Sequence, residues 1–224
     1  MPTTGVYRGV AAVERRAERR ARLLEACLEL VGTSGWQAAS VRAVCARARL
    51  TTRYFYESFE SRAALLLALF DAITEEAAVR VLAAVADAPD DAERKSRAAV
   101  GAFVDLLVDD PRKARVAFSE AEGNELLIRH RRAALRMFAG LMGEQARAFY
   151  GGPGGDGEDR IVEITALLLS GGLAELLLAW IEGDVRATRD ELVEDCAALF
   201  AAAGETATAI GARRAGRQRK GGNR

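Results

Sequence analysis

Residues 40–62 read SVRAVCARARLTTRYFYESFESR. The pattern predicts two helices of about two turns, 40–48 and 52–58, with Ser40 capping the first and Thr51 the second. Arg49 and Leu50 join them, and so short a link leaves a helix-turn-helix as the only layout. Val41, Val44, Cys45 and Ala48 are expected to pack inward, with Leu50 at the turn. Phe55 and Phe59, four apart, share one face of the second helix. That leaves Arg53, Tyr54 and Glu57 facing outward, flanked by Thr52, Tyr56 and Ser58. Such a face suits DNA: arginine pairs bidentately with guanine, and hydroxyls and cations hold phosphates. Ordinary packing is the competing account of Tyr54 and Tyr56. The ring of Tyr56 can pack while its hydroxyl reaches out.

Working outward, residues 11–32 predict an amphipathic helix with Val13, Ala17, Leu24, Leu28 and Val31 on one face. Arg15, Arg16, Arg19, Arg20 and Arg22 crowd its first half. They and Arg8 fit either a basic arm against phosphates or a minor groove, or a solvated face. Gly32 to Gly35 end this helix. Downstream, Ser61 caps a helix over 62–87, and the Asp87–Asp91 turn opens one reaching about 108. Asp110-Pro111 opens a short helix over 111–119, because proline suits the first helical position and acids suit the positive end of the dipole. Longer helices are expected at 124–149 and 158–182, the second ended by Gly183-Asp184. Thr188 and Glu191 form a capping box for a last helix at 189–203. GGPGGDG (151–157) reads as a flexible loop rather than a phosphate cradle, since no strand precedes it. With no strand pattern and no repeat, the chain is expected to be all-α with about nine helices. The domains are expected at 1–62 and 63–210, with 211–224 a disordered basic tail.

Composition agrees with a folded helical protein. The chain has 224 residues, 50% hydrophobic, with only 4 prolines, which excludes a disordered chain. Its 32 basic and 32 acidic residues give a formal charge of zero. That zero is uneven: residues 1–62 carry net +5, 63–210 net −11 and 211–224 net +6. A basic head on an acidic body suggests that the head meets a polyanion. The tail arginines add DNA affinity or only solubility. Cys27, Cys45 and Cys196 are odd in number and lack metal spacing, so they read as small core residues in a reducing, cytoplasmic setting. The apolar stretch 161–181 is interrupted by Glu163, Ser170 and Glu175, which argues against a membrane span. The N-terminus lacks the apolar segment of a secretory signal. No G-x-S-x-G, Walker A or H-E-x-x-H is present, so no enzyme, cofactor or metal site is expected.

The stretch 40–65 resembles the DNA-binding segment of the TetR-like (tetracycline-repressor-like) transcriptional regulators. The resemblance rests on Ser40-Val41-Arg42, Val44, Cys45, Ala48, Leu50-Thr51, Phe55-Tyr56, Phe59, Ser61-Arg62 and Ala64-Leu65. It implies an N-terminal three-helix DNA-binding domain followed by a helical ligand-binding and dimerisation domain. It gives Ser40 and Arg42 contacts at the start of the second helix, and Thr51, Thr52, Arg53 and Tyr54 base and phosphate contacts. Tyr56 and Arg62 take phosphate-anchoring roles. Two positions depart from the family. Arg49 stands where glycine is usual, and a positive φ there costs about 1 kcal/mol. Glu57 faces outward, where phosphate repels it; pairing with Arg53 at i,i+4 is favoured over accepting a bond from cytosine.

A palindromic operator needs two reading heads about 34–36 Å apart. Residues 158–203 are the candidate dimer segment, against the alternative of a large intrachain core. Ile164, Leu168, Gly171, Gly172, Leu176, Leu192, Cys196, Leu199 and Phe200 are the expected interface of a homodimer. The resemblance also implies a small-molecule effector that releases DNA. Phe103, Leu107, Phe118, Leu127, Met137, Phe138, Leu141 and Trp180 are candidate pocket residues, with Arg115, Glu122 and Asn124 as polar contacts. His130, the sole histidine, lies between arginines and is expected at the solvated surface. The reading is therefore a ligand-responsive regulator, by family default a repressor, with partners DNA, effector and a second copy. The rival is a helical ligand-binding or scaffolding protein with a degenerate helix-turn-helix.

Overall fold

The computed structural model describes residues 4–119, 125–150 and 156–221. Among these there are nine α-helices and no strand. They are α1 (Thr4–Ser34), α2 (Val41–Ala48), α3 (Thr52–Ser58), α4 (Arg62–Asp87), α5 (Ala92–Asp109), α6 (Pro111–Ala114), α7 (Glu125–Tyr150), α8 (Asp156–Glu182) and α9 (Arg189–Gly221). A 3-10 turn at Trp36–Ala38 follows α1, and a π-helical turn at Arg115–Ser119 follows α6. The expected order and types of helix are those observed.

Local chemistry sets most boundaries. Ser40 Oγ accepts from Ala43 N at 3.2 Å, Ser61 Oγ from Ala64 N at 3.1 Å and Asp91 Oδ1 from Arg94 N at 2.8 Å, each quenching an orphan N–H of a first turn. The capping box is reciprocal: Glu191 N donates to Thr188 Oγ1 at 3.2 Å and Thr188 N to Glu191 Oε2 at 2.8 Å. These bonds hold the Glu191 carboxyl below its ordinary range. Thr51 makes no side-chain capping bond, contrary to expectation. Gly35 and Gly183 end α1 and α8 at positive φ (82° and 85°). The last helix runs on to Gly221, through most of the segment 211–224 that was expected to be a disordered tail. The glycine-rich loop expected at 151–157 lies, for residues 151–155, outside the described residues.

The chain divides into two compact units, Met1–Glu75 with Leu107–His130, and Glu76–Leu106 with Arg131–Arg224. The boundary thus falls inside α4 rather than at residue 62. Leu65, Leu66, Leu69, Phe70 and Ile73 of α4 are buried, as are Leu23, Cys27, Val31, Val44, Phe55, Val116 and Leu127 in the same unit. Val13 and Ala17 are exposed, so the buried face of α1 begins only at Leu23.

The return of 107–130 to the first unit is held by Arg112. Its guanidinium donates to both oxygens of Asp110 at 2.8 Å, to Glu29 Oε2 at 2.7 Å and to Glu25 Oε1 at 3.0 Å. A Cβ at Gly32 would overlap Arg112, so glycine admits this close approach. The Arg112 guanidinium holds the Asp110 carboxyl below its ordinary range. A depressed folded-state pKa contributes stability above the unfolded value of about 3.9, lost as pH falls through the folded value. Asp110→Asn is therefore expected to flatten the loss of stability as pH falls below about 4, followed by chemical denaturation across pH. An acid limb as steep as the wild type's would place the titration elsewhere.

In the second unit α8 packs along α9. Ala166, Ala174, Leu177, Leu192, Val193, Cys196 and Ala197 are buried there. Arg189 joins α9 to α5 by a fork on Asp105, with both bonds at 2.8 Å. By length and composition Arg160–Glu182 is apolar enough to cross a membrane, at a mean hydropathy of 1.9. It passes that test despite the interruptions at Glu163, Ser170 and Glu175, as the core helix of a helical bundle also can. All three cysteines are buried and unpaired. Burial pushes the Cys27 thiol up to about 12, with the Arg62 charge opposing.

Candidate nucleic-acid interface and cavity

The geometry of the α2–α3 turn follows from one residue. Arg49 adopts φ 52°, ψ 45°, the left-handed conformation usually left to glycine. Arg49 N donates to Ala46 O at 3.2 Å and Leu50 N to Cys45 O at 2.9 Å, which together form a Schellman motif. Arg22 of α1 completes the cap, donating to Ala48 O at 2.5 Å and more weakly to Arg49 O at 3.5 Å. A cation at these orphan carbonyls also meets the negative end of the α2 dipole.

Three further α1 arginines reach the same unit. Arg16 donates to Glu57 O, near the end of α3, at 2.7 Å. The Arg19 guanidinium lies 4.6 Å from the Tyr54 ring centroid, and that of Arg20 4.4 Å from the Phe59 ring. Arg47 of α2 answers with a 2.7 Å pair to Glu29. Arg16, Arg20 and Arg22 are exposed, as a solvated face requires, and Arg19 is half-buried; in addition, all four clasp the helix-turn-helix to α1. Their i, i+3, i+4 spacing is the signal that carried this role.

On α3 the outward positions are Thr52, Arg53, Tyr56 and Glu57. Arg53 is 84% exposed at its side chain, with Nε 3.0 Å from Glu57 Oε1, the expected i,i+4 pair. Tyr56 is 61% exposed and sets its ring edge-on to buried Phe55 at 5.3 Å. Tyr54 is half-buried beneath Arg19, so Tyr56 rather than Tyr54 belongs to the outward set. Ser40, Arg42 and Thr51 are exposed beside this face. Arg62 lies 3.9 Å over the Trp36 ring, half-buried. Val41, expected inward, is likewise only half-buried.

Residues 23–69 match the family described as bacterial regulatory proteins, tetR family. This segment is similar to the tetR-family domain. It spans the end of α1, the helix-turn-helix and the start of α4, where the TetR-like resemblance was read. The fold of the chain is also similar to several solved structures. A protein described as a transcriptional regulator of Pseudomonas aeruginosa PAO1 is 23% identical at a TM-score of 0.69, covering 86% of this chain and 93% of that one. The fatty acid degradation regulator FadR of Bacillus halodurans is 18% identical at 0.67, over 82% and 94%. FadR of Bacillus subtilis, solved with stearoyl-CoA, is 18% identical at 0.66, over 82% and 98%. No curated protein matches the chain significantly.

The second unit holds a cavity of about 370 Å³, formed by α4, α5, α7, α8 and α9. Of the eight candidate pocket residues, Phe103, Phe138 and Leu141 line it. Leu107, Phe118 and Leu127 are instead buried in the first unit, Met137 is exposed, and Trp180 donates to Ala187 O at 2.8 Å outside the lining. Arg115 belongs to the first unit and donates to Thr33 O at 3.3 Å; Glu122 and Asn124 lie outside the described residues. His130 does not stand free in solvent: its Nδ1 is 3.0 Å from Asp71 Oδ1, and its ring meets Phe70 edge-on.

The expected dimer residues also divide. Leu168 is 69% and Leu199 65% exposed, and Ile164 is exposed too. A Cβ added at Gly171 or Gly172 would meet nothing within 4 Å. Leu176 is half-buried. Leu192 and Cys196 are buried in the unit's own core, and Phe200 lines the cavity. A helix apolar nearly all round serves three surfaces, and periodicity alone cannot assign its residues among them.

Proposed function

We propose that the chain is a DNA-binding transcriptional regulator that reads a palindromic operator as a homodimer. The observation that carries this is the outward face of α3, with Thr52, Arg53 and Tyr56 free of the core while α1 arginines hold the helix in place. In this reading Arg53 supplies base contact, and Ser40, Arg42, Thr51, Tyr56 and Arg62 hold phosphates. The exposed Ile164, Leu168 and Leu199, with open space at Gly171 and Gly172, support a second copy as the cover of α8 and α9. The cavity supports a small-molecule effector whose binding favours a state that leaves DNA, which makes the chain a repressor.

Selection of bound sequences from a random duplex pool tests the reading. A palindrome held by two chains is expected, with affinity falling steeply as salt rises. Arg53→Ala is expected to cost roughly 1–3 kcal/mol on the selected site and to relax base preference. An equal loss on random DNA would move Arg53 to the phosphate anchors. A flat salt response would leave a helical ligand-binding protein whose helix-turn-helix reads nothing.

A further inference from the structure

The cavity of the second unit is long, and its two ends differ in chemistry. Its lining runs from Leu135 to Tyr150 on α7 and from Ile161 to Ala174 on α8. At the α-helical rise each stretch covers roughly 20 Å. A cavity of about 370 Å³ running along that length is elongated and partly open to solvent.

One end is apolar. Phe103 and Phe138 meet at a 55° tilt, 5.7 Å between centroids, and the neighbouring Ser170 hydroxyl is committed to the carbonyls of Leu167 (3.4 Å) and Leu135 (3.5 Å). Leu169, Leu173 and Ala174 also line the cavity.

The other end is polar. Lys95 Nζ sits 5.4 Å from the Phe149 ring, which meets Tyr150 edge-on, and Tyr150 packs against Gly204. Ser96, Gln145 and Arg147 also line the cavity. Two cations and no carboxylate stand among the lining residues. Lys95 pairs with Asp90 at 2.7 Å, but Asp90 is 86% exposed, so the pair is solvated and the ammonium can turn to a ligand at small cost. The Tyr150 hydroxyl has no hydrogen-bond partner among the described residues. Burial and the Glu205 charge push its pKa up, which keeps it a donor.

We infer that this channel binds a single-tailed amphiphile, with its aliphatic tail at the Phe103–Phe138 end and an anionic head at Lys95 and Tyr150. This deepens the effector reading and rests on it. A tail against the apolar lining gains affinity with each methylene, and the cluster of donors and cations at the other end orients the head.

The test is calorimetric titration of the full chain with saturated fatty acids of increasing length, with hexadecanol, and with hexadecanoyl-CoA. Affinity for the acids is expected to rise about fourfold per methylene until the channel is full. Lys95→Gln is expected to weaken palmitate about tenfold and leave hexadecanol unchanged. Leu173→Trp, at the apolar end, is expected to shift the preferred acid to a shorter chain. If that variant does not fold, the length series on the unaltered chain still decides.

Hexadecanoyl-CoA bound in place of palmitate keeps the amphiphile and assigns the head to the larger anion. Affinity indifferent to tail length, or equal loss of acid and alcohol in Lys95→Gln, overturns the inference. Retention of the selected duplex, measured in the same samples, separates the two readings. Palmitate bound with DNA retained defeats the effector role alone. DNA bound and no amphiphile taken up defeats the ligand class alone.

Discussion

Phe55→Ala is expected to unfold the N-terminal unit, while Tyr56→Phe, one position on, leaves it folded and weakens only its hold on DNA. Phe55 is fully buried, with the Phe59 ring 6.0 Å and the Tyr56 ring 5.3 Å from its own. Truncating a buried phenylalanine costs about 3–5 kcal/mol through lost transfer energy and the cavity left behind. α3 has seven residues. A helix so short is not stable alone and exists because Phe55 and Phe59 anchor it. A fall in melting temperature of more than about 10 °C, followed by circular dichroism, is the expected measurement. Tyr56→Phe removes one exposed hydroxyl and no packing. Its melting temperature is expected to stay within about 2 °C of the parent. Affinity for every duplex is expected to fall by about the same factor, roughly tenfold, the worth of one bond to a charged phosphate oxygen. Unchanged affinity would return the Tyr56 hydroxyl to solvent, and a Phe55→Ala protein as stable as the parent would mean that α3 is held by other contacts.

The two adjacent aromatics show how far the sequence could be read. Period, caps and the Arg49–Leu50 link are local features, so the helix order, the reciprocal Thr188–Glu191 box and the Arg53–Glu57 pair were all legible. Contacts between distant segments were not. Arg112 holds Glu25 across 87 positions, and no periodicity relates the two. Because that ion network and the start of α4 tie 107–130 to the first unit, a division at residue 62 did not follow the packing. The clasping contacts of the α1 arginines were hidden for a related reason. A charged residue on a helix face reads as solvent-facing, yet a guanidinium can cap a neighbouring helix or lie over a ring without leaving water altogether. The expected pocket list failed where it drew on Leu107, Phe118 and Leu127, since apolar residues in a core and in a cavity wall have the same composition. Residues of α8 and α9 such as Leu169 and Phe200 were assigned wholly to a dimer or passed over, although they face the cavity.

The clasp on the turn leads to the other large effect, a coupling between Arg22 and Arg49. A non-glycine residue in the left-handed region costs on the order of 1 kcal/mol, and at Arg49 the turn is held by two backbone bonds and by Arg22. Arg22→Ala removes the donor at Ala48 O and Arg49 O, and a loss of about 1–2 kcal/mol is expected from a charge-assisted bond at a partly exposed site. Arg49→Gly relieves the strain but also frees the unfolded chain, so on its own its effect is expected within about 0.5 kcal/mol of zero. In the Arg22→Ala background the same change is expected to recover about 1 kcal/mol, because the turn then has no clasp to enforce a costly φ. The double-mutant cycle, read by denaturant unfolding, should therefore show non-additivity of roughly 0.5–1 kcal/mol. Arg49→Lys, which keeps both charge and strain, should show none of the recovery. DNA affinity gives an independent reading. If Arg22 sets the angle at which α2 presents α3, Arg22→Ala weakens all duplexes while the preferred bases stay the same, and Arg49→Gly restores part of that loss despite deleting a cation. Additive stabilities, together with affinity that follows only the number of cations removed, would reduce Arg22 to an ordinary cap on α2.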